Sequence, residues 1–176
     1  MESNSRSAKR IGDFGEGLVT YALIRKGFEV ACVDEIGADL IAAGRGHRYA
    51  ISVKARLFRP GSRESRVTVI ESSHLLKLQV FAERFGMIPL LAQVVCLADD
   101  GTIHLFVFPT SEIGTILPEC KNGFSLRFGL KHVNTLAQHP IVDYSCWREE
   151  LMSGSWFGET FSLPPDANVE GGPTAE

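Results

Sequence analysis

The segment YAISVKAR, residues 49–56, alternates with the period of a β-strand. Tyr49, Ile51, Val53 and Ala55 share one face; Ala50, Ser52, Lys54 and Arg56 share the other. The first set is a core face. The second puts a hydroxyl and an ammonium two residues apart, where a packed sheet favours β-branched apolar side chains. The residues upstream show what those groups meet. ADLIAA (38–43) is a second strand pattern, and Gly44-Arg45-Gly46-His47 between the two runs is a glycine-containing hairpin signal. With Arg45 and Gly46 as a two-residue turn, Asp39 falls directly opposite Ser52 and diagonal to Lys54. A carboxylate, a hydroxyl and an ammonium on one patch are costly to desolvate unless they have partners or a task. The plain alternative is an Asp39–Lys54 salt bridge on an exposed sheet face.

The remaining elements build outward from this hairpin. Ile11, Phe14, Leu18, Tyr21 and Ala22 have helical spacing over residues 11–26, with Gly27 as the stop, and FEVACVD (28–34) reads as a strand. HLLKLQVFAERFG (74–86) is an amphipathic helix ended by Gly86, and IPLLAQVVCLA (88–98) is the continuous apolar run of a buried strand. Asp100-Gly101 turns the chain into TIHLFVF (102–108). Beyond it the patterns give a short helix near 111–117, a strand near 124–128, and helices near 131–138 and 143–152. RLFRPGSRESR (56–66) is a basic Gly/Pro/Ser loop. The expected division is a disordered lead (1–10), a core (11–110), an extension packed on the core (111–163) and a disordered tail (164–176). Helix, three strands, helix and strand in that order make an α/β fold with a small mixed sheet between helices.

A chain of 176 residues with 44% hydrophobic and 22% charged residues suits one domain plus an extension. It has no apolar run of about 18 residues that would span a membrane. The opening MESNSRSAKRIGDFGEG lacks the apolar centre of a signal peptide. Cys32, Cys96, Cys120 and Cys146 are widely spaced with no CxxC pair, so a reducing, cytoplasmic setting is expected. Residues 1–66 carry twelve Lys/Arg against eight Asp/Glu, while residues 67–176 carry six against thirteen. Such segregation marks the first half as the one suited to a polyanion. His47, His74, His104, His132 and His139 fall on different elements at no ligand spacing, and Trp147, Trp156, Phe157 and Phe161 read as aromatics that dock the C-terminal segment.

On the opening helix, Glu16 aligns with Val19 and Leu23 along a partly apolar stripe, and Gly12 and Gly15 allow close approach to another backbone. GDFGEG is not a dinucleotide fingerprint, since no strand precedes it. Taken in order, the GxxGE of residues 12–16, GADLIA (37–42), SVKAR (52–56) and LQVFAERFGMIPLLAQVV (78–95) resemble the PD-(D/E)xK nuclease superfamily. The likeness is closest to its Holliday junction resolvase-type small endonucleases.

This resemblance, which runs from about Gly12 to Ala98, implies a restriction endonuclease-like fold with an αβββαβ core, and the residues after it are expected to add a C-terminal α/β extension. It also implies Mg²⁺-dependent hydrolysis of DNA phosphodiester bonds, with branched or structured DNA as a substrate and Mn²⁺ as a substitute ion. Asp39 would be the metal-binding carboxylate, the main-chain carbonyl of Val53 a further ligand, and Glu16 a supporting carboxylate. Lys54 would orient the attacking water and stabilise charge on the phosphate. A hard cation wants such oxygen ligands, and it acidifies bound water. The departure is Ser52, where the family carries Glu, Asp or Gln. Some restriction endonucleases of the superfamily also read S-V-K and draw the acid from the following helix. The matching region here offers Glu71 and, second, Glu64. Arg56, Arg59, Arg63 and Arg66 on and beside the basic loop suit DNA phosphates. A homodimer is compatible with this reading. Two others stand beside it: a catalytically inactive nucleic-acid-binding module of the same fold, and an interaction domain with no nucleic-acid role.

Overall fold

The computed structural model describes residues 3–58, 66–98 and 101–148. Strand β2 (Ala38–Gly44) and strand β3 (His47–Phe58) form the expected hairpin. Leu40 pairs with Ile51 and Gly44 with His47, so the register is the one that sets Asp39 against Ser52. Arg45 and Gly46 both have positive φ, 54° and 80°. That is the primed turn whose twist matches the two strands it joins. Strand β1 (Glu29–Glu35) pairs on the outer side of β2.

On its other side β3 runs parallel to β5 (Ile88–Leu97), which requires a crossover. The crossover passes through β4 (Val67–Glu71) and helix α2 (Ser72–Phe85). Strand β6 (Thr102–Pro109) returns antiparallel to β5. A 3₁₀ turn (Thr110–Glu112) and α3 (Ile113–Ile116) lead to β7 (Glu119–Cys120) and β8 (Gly123–Arg127). Helix α4 (Leu130–Ala137) and β9 (Asp143–Arg148) complete the described chain. The main sheet is six-stranded, in the order β1-β2-β3-β5-β6-β9, and a smaller sheet has the order β4-β8-β7. Among the described residues no helix is long and apolar enough to cross a membrane.

The strand alternation seen in the sequence divides the core in two. Ile51, Val53, Ala92 and Val94 face α1 (Ser3–Arg25), which buries Val19, Ala22 and Leu23 against them. The opposite face meets α2 through Ala50, Leu78 and Ala82. Further along it meets the smaller sheet and α4 through Phe58, Leu91, Val95, Phe106, Ile70, Leu126 and Phe128. Ser52, Lys54 and Arg56 project from this second face, in the gap between α2 and the smaller sheet.

Three expectations are corrected. Helix α1 opens at Ser3 rather than Ile11, so residues 3–10 are helical; Ala8, Lys9 and Arg10 are good helix formers and no Gly or Pro intervenes. The helix expected over 143–152 is strand β9 as far as Arg148, and residues 149 onward lie outside the described residues. DYSCWR alternates: Tyr144 stacks on Phe106, 5.1 Å between ring centres, while Trp147 packs into the α1-side core. Burial, and after it a bond with Cys146, pushes the Tyr144 phenol up to about 12, so it stays neutral beside His104 Nδ1 at 2.9 Å. Strand β4, assigned to no element from the sequence, pairs with β8 from Val67–Arg127 to Glu71–Gly123.

Helix α1 can approach β3 because Gly15 has no side chain. A Cβ there would lie 2.7 Å from the Cβ of Ala55. At Gly12 a Cβ would meet nothing within 4 Å. Gly12→Ala should therefore stabilise the fold by about 0.5–1 kcal/mol through helix propensity. Gly15→Val should destabilise it by about 1–3 kcal/mol by overpacking. Urea unfolding of the two variants reads both signs; equal effects would mean that α1 does not rest on Ala55.

Candidate active site

Asp39 lies at the start of β2, where the ladder with β3 ends. Its Oδ2 accepts the main-chain N–H of Val53 at 2.6 Å and the Ser52 hydroxyl at 3.2 Å. The side chain takes a donor that a strand partner would otherwise satisfy, and Oδ1 is left for other partners. Ser52 is only 8% exposed, so its hydroxyl needs this acceptor. Among the described residues Asp39 and Lys54 form no ion pair, which sets aside the simple salt bridge.

Ser52, Lys54 and Arg56 line a cavity of about 80 Å³. Its far wall comes from Thr68 and Glu71 of the β4 segment and His74 and Leu78 of α2, and its floor includes Gln93 of β5. Asp39 is not in the wall; it stands one hydrogen bond behind, through Ser52. Glu71, proposed from sequence as a migrated acid, is at the N-cap position of α2, where a negative charge suits the helix dipole. Its Oε2 accepts the Ser73 hydroxyl at 3.3 Å and lies 3.9 Å from His74 Nε2.

Glu16 is not brought to this cavity. It follows Gly15 on α1, the helix that covers the opposite face of the sheet. Arg56 is exposed at the cavity edge, and Arg66 precedes β4, its carbonyl accepting the N–H of Phe128 at 2.8 Å. Arg59, Arg63 and Glu64 lie outside the described residues.

Two cavity residues were passed over in the sequence. His74 was set aside for lack of ligand spacing, although it stands three residues after Glu71. Gln93 was absorbed into an apolar run, yet it is the one amide in that strand and pairs in register with Lys54.

Among the described residues no three His, Cys, Asp or Glu side chains cluster as metal ligands. Most donors at hand are oxygens, the Asp39 and Glu71 carboxylates and the Gln93 amide, and His74 adds one imidazole nitrogen to the wall. Gln93 Oε1 is buried with no hydrogen-bond partner among the described residues. A set rich in oxygen, with an unsatisfied acceptor and no sulfur in the cavity wall, fits a hard, hydrated divalent cation rather than a thiophilic one.

Removing the Asp39 carboxylate strands two donors at once. Asp39→Ala should cost about 1–3 kcal/mol for the unsatisfied Val53 N–H and Ser52 hydroxyl, and Asp39→Asn, which keeps an oxygen, should cost less. Chemical denaturation in EDTA measures this apart from any activity; equal stability of the two variants would refute the bonding pattern.

No protein-family model and no curated protein matches the sequence. A solved structure does resemble it: the 1.6 Å structure of Hjc, a Holliday junction resolvase from the archaeal hyperthermophile Archaeoglobus fulgidus. The two are 18% identical with a TM-score of 0.51, over 83% of this chain and 98% of that one. At that identity the likeness is one of fold, and the chain adopts a restriction endonuclease-like fold, with its mixed sheet between helices.

Proposed function

We propose that the chain is a divalent-metal-dependent endodeoxyribonuclease of PD-(D/E)xK type that hydrolyses phosphodiester bonds in branched DNA. The observation that carries this reading is the convergence of Lys54, Ser52 and Glu71 on one cavity, with Asp39 hydrogen-bonded to Ser52 behind it. The fold shared with a junction resolvase supports branched DNA as the substrate class. Asp39 and Glu71 would hold Mg²⁺ or Mn²⁺, together with the carbonyl of Val53. Bound there, the cation would acidify water and neutralise charge at phosphorus.

Water adds to phosphorus as the bond to the departing sugar oxygen breaks, and a proton ends on that oxygen. Lys54 reaches the cavity from the central strand of the site, so its ammonium bears on the attacking water and on the charge that gathers on the phosphate oxygens. Arg56 and Arg66, with Arg59 and Arg63 between them in the sequence, track the backbone without reading bases. Glu16, on α1, would act as a supporting carboxylate.

The inactive-module reading also has its observation. Ser52, in place of the usual acid, is buried and donates its proton to Asp39, so it adds no charge to the site. Mg²⁺-dependent nicking of a four-way junction, beside linear duplex, decides between them. Lys54→Ala and Asp39→Asn should each lower cleavage by about 10²–10³-fold. Affinity for junction DNA measured in EDTA, where no metal couples to it, should change little. Ser52→Glu should raise the rate, and Glu71→Gln should abolish it if that carboxylate replaces the missing acid. Binding without cleavage in Mg²⁺ or Mn²⁺ assigns the module; neither binding nor cleavage leaves a shared fold alone.

Junction cleavage engages two strands related by approximate symmetry, which suits a homodimer. Ile36 (80% exposed), Leu76, Val80 and Phe85 make an apolar face along α2 and the β1–β2 turn. Such a face on two copies is self-complementary about a two-fold axis. Sedimentation should find a dimer, and Val80→Glu, at an exposed helix position, should give a folded monomer. A wild-type monomer at micromolar concentration ends the dimer proposal.

A further inference from the structure

We infer that Gln93 belongs to the cation site: its Oε1 is the neutral oxygen against which a hydrated divalent cation is held, on the side where Ser52 replaces an acid. The inference rests on the nuclease reading and extends it to a residue on a different strand.

Gln93 is 0% exposed in a strand otherwise made of apolar residues. An amide in that position costs free energy that a leucine of similar size would avoid. Its two amide hydrogens are in use. Nε2 donates to the carbonyl of Lys54 at 3.0 Å and to that of Val94 at 3.2 Å. A flipped amide would turn its oxygen onto two carbonyl oxygens, so the bonds fix which end is which. Oε1 therefore has a set direction, and among the described residues nothing satisfies it. Leaving it so costs about 1–3 kcal/mol.

The same residue lines the cavity beside Ser52, Lys54 and Glu71, and it is paired in register with Lys54. A water takes about 30 Å³ of liquid, so the cavity of about 80 Å³ has room for a small ion with part of its hydration shell. Amide carbonyls are ordinary oxygen partners for Mg²⁺ and Mn²⁺. Ser52 donates its hydroxyl hydrogen to Asp39 and keeps its lone pairs, so Ser52 Oγ and Gln93 Oε1 are both neutral acceptors, and of the two it is Oε1 that has no partner among the described residues. By holding the carbonyl of Lys54, Gln93 also ties the cation's surroundings to the strand that carries the lysine.

Mn²⁺ titration of the metal-free, full-length chain without DNA tests this, with thermal melts in EDTA as the check on folding. Gln93→Leu should weaken Mn²⁺ binding by about 10–100-fold, the usual effect of losing an outer-sphere partner. Gln93→Asn, which keeps an amide but draws its oxygen back by one methylene, should also weaken it and keeps the test open if the leucine variant fails to fold. Wild-type Mn²⁺ affinity in both variants, with Asp39→Asn abolishing binding, would mean that Oε1 holds an ordinary buried water; the inference would fall and the nuclease reading would stand. Mn²⁺ binding that is absent, or indifferent to Asp39→Asn, would overturn both.

Discussion

The site depends on one exchange of hydrogen-bond partners: Oδ2 of Asp39, not the main chain of β2, takes the N–H of Val53. The β2–β3 ladder ends at Leu40–Ile51, while β3 runs on to Phe58 beside β5. Beyond Ser52, β3 is therefore paired on one side only, and its polar residues occupy a stretch that the sheet supports but does not cover. A charge-assisted bond of 2.6 Å is strong enough to hold such a divergence. It also fixes the carboxylate within reach of the Ser52 hydroxyl.

The elements around this point are held by packing on both faces of the sheet. Val53, between Ser52 and Lys54, packs against α1, which reaches that level because Gly15 meets Ala55 without a side chain. On the cavity side α2 is anchored by Leu78 and Ala82, and β4 is held by β8. A functional group on a strand whose alternate residues are locked in a core is placed more accurately than one on a loop. Residues 110–148 are part of this support. Strand β9 closes the main sheet, β8 pairs with the strand that ends in Glu71, and an ion pair between Lys26 and Asp143 ties the end of α1 to β9. The cavity wall at Glu71 would not exist without them.

The legible parts of the sequence were those whose signals are local. Period-two alternation and a two-residue turn determine a hairpin from within a dozen residues, so the β2–β3 register and the Asp39–Ser52–Lys54 grouping could be read directly. Helix α2 and strand β5 were equally plain. Strands β4 and β9 were not, because short strands gain their stability from partners far away in the chain. For β9 the alternation of Tyr144 and Cys146 with Ser145 and Trp147 was present but was read as helical spacing. Gln93 was hidden for a different reason: a run judged by its average hydropathy conceals its one polar member. Glu16 shows the converse, since a carboxylate on a helical stripe gives no sign of which sheet face that helix will cover.

The charges near the cavity bear on how a cation would be held. Asp39 has already committed Oδ2 to Val53 and Ser52, and Glu71 shares its Oε2 with Ser73. With Ser52 and Gln93 both neutral, the negative charge available to a divalent ion is smaller than in a site with the usual acid. Lys54, a cation in the same wall, lowers it further. In the proposed enzyme, Mg²⁺ would then be held loosely until phosphate oxygens join its shell. Phosphate would be drawn in by Lys54 and the flanking arginines, so each ligand would raise the affinity for the other by the same factor. Substituting a serine for the acid would thus leave a site that binds its metal weakly by itself and more tightly once DNA is present.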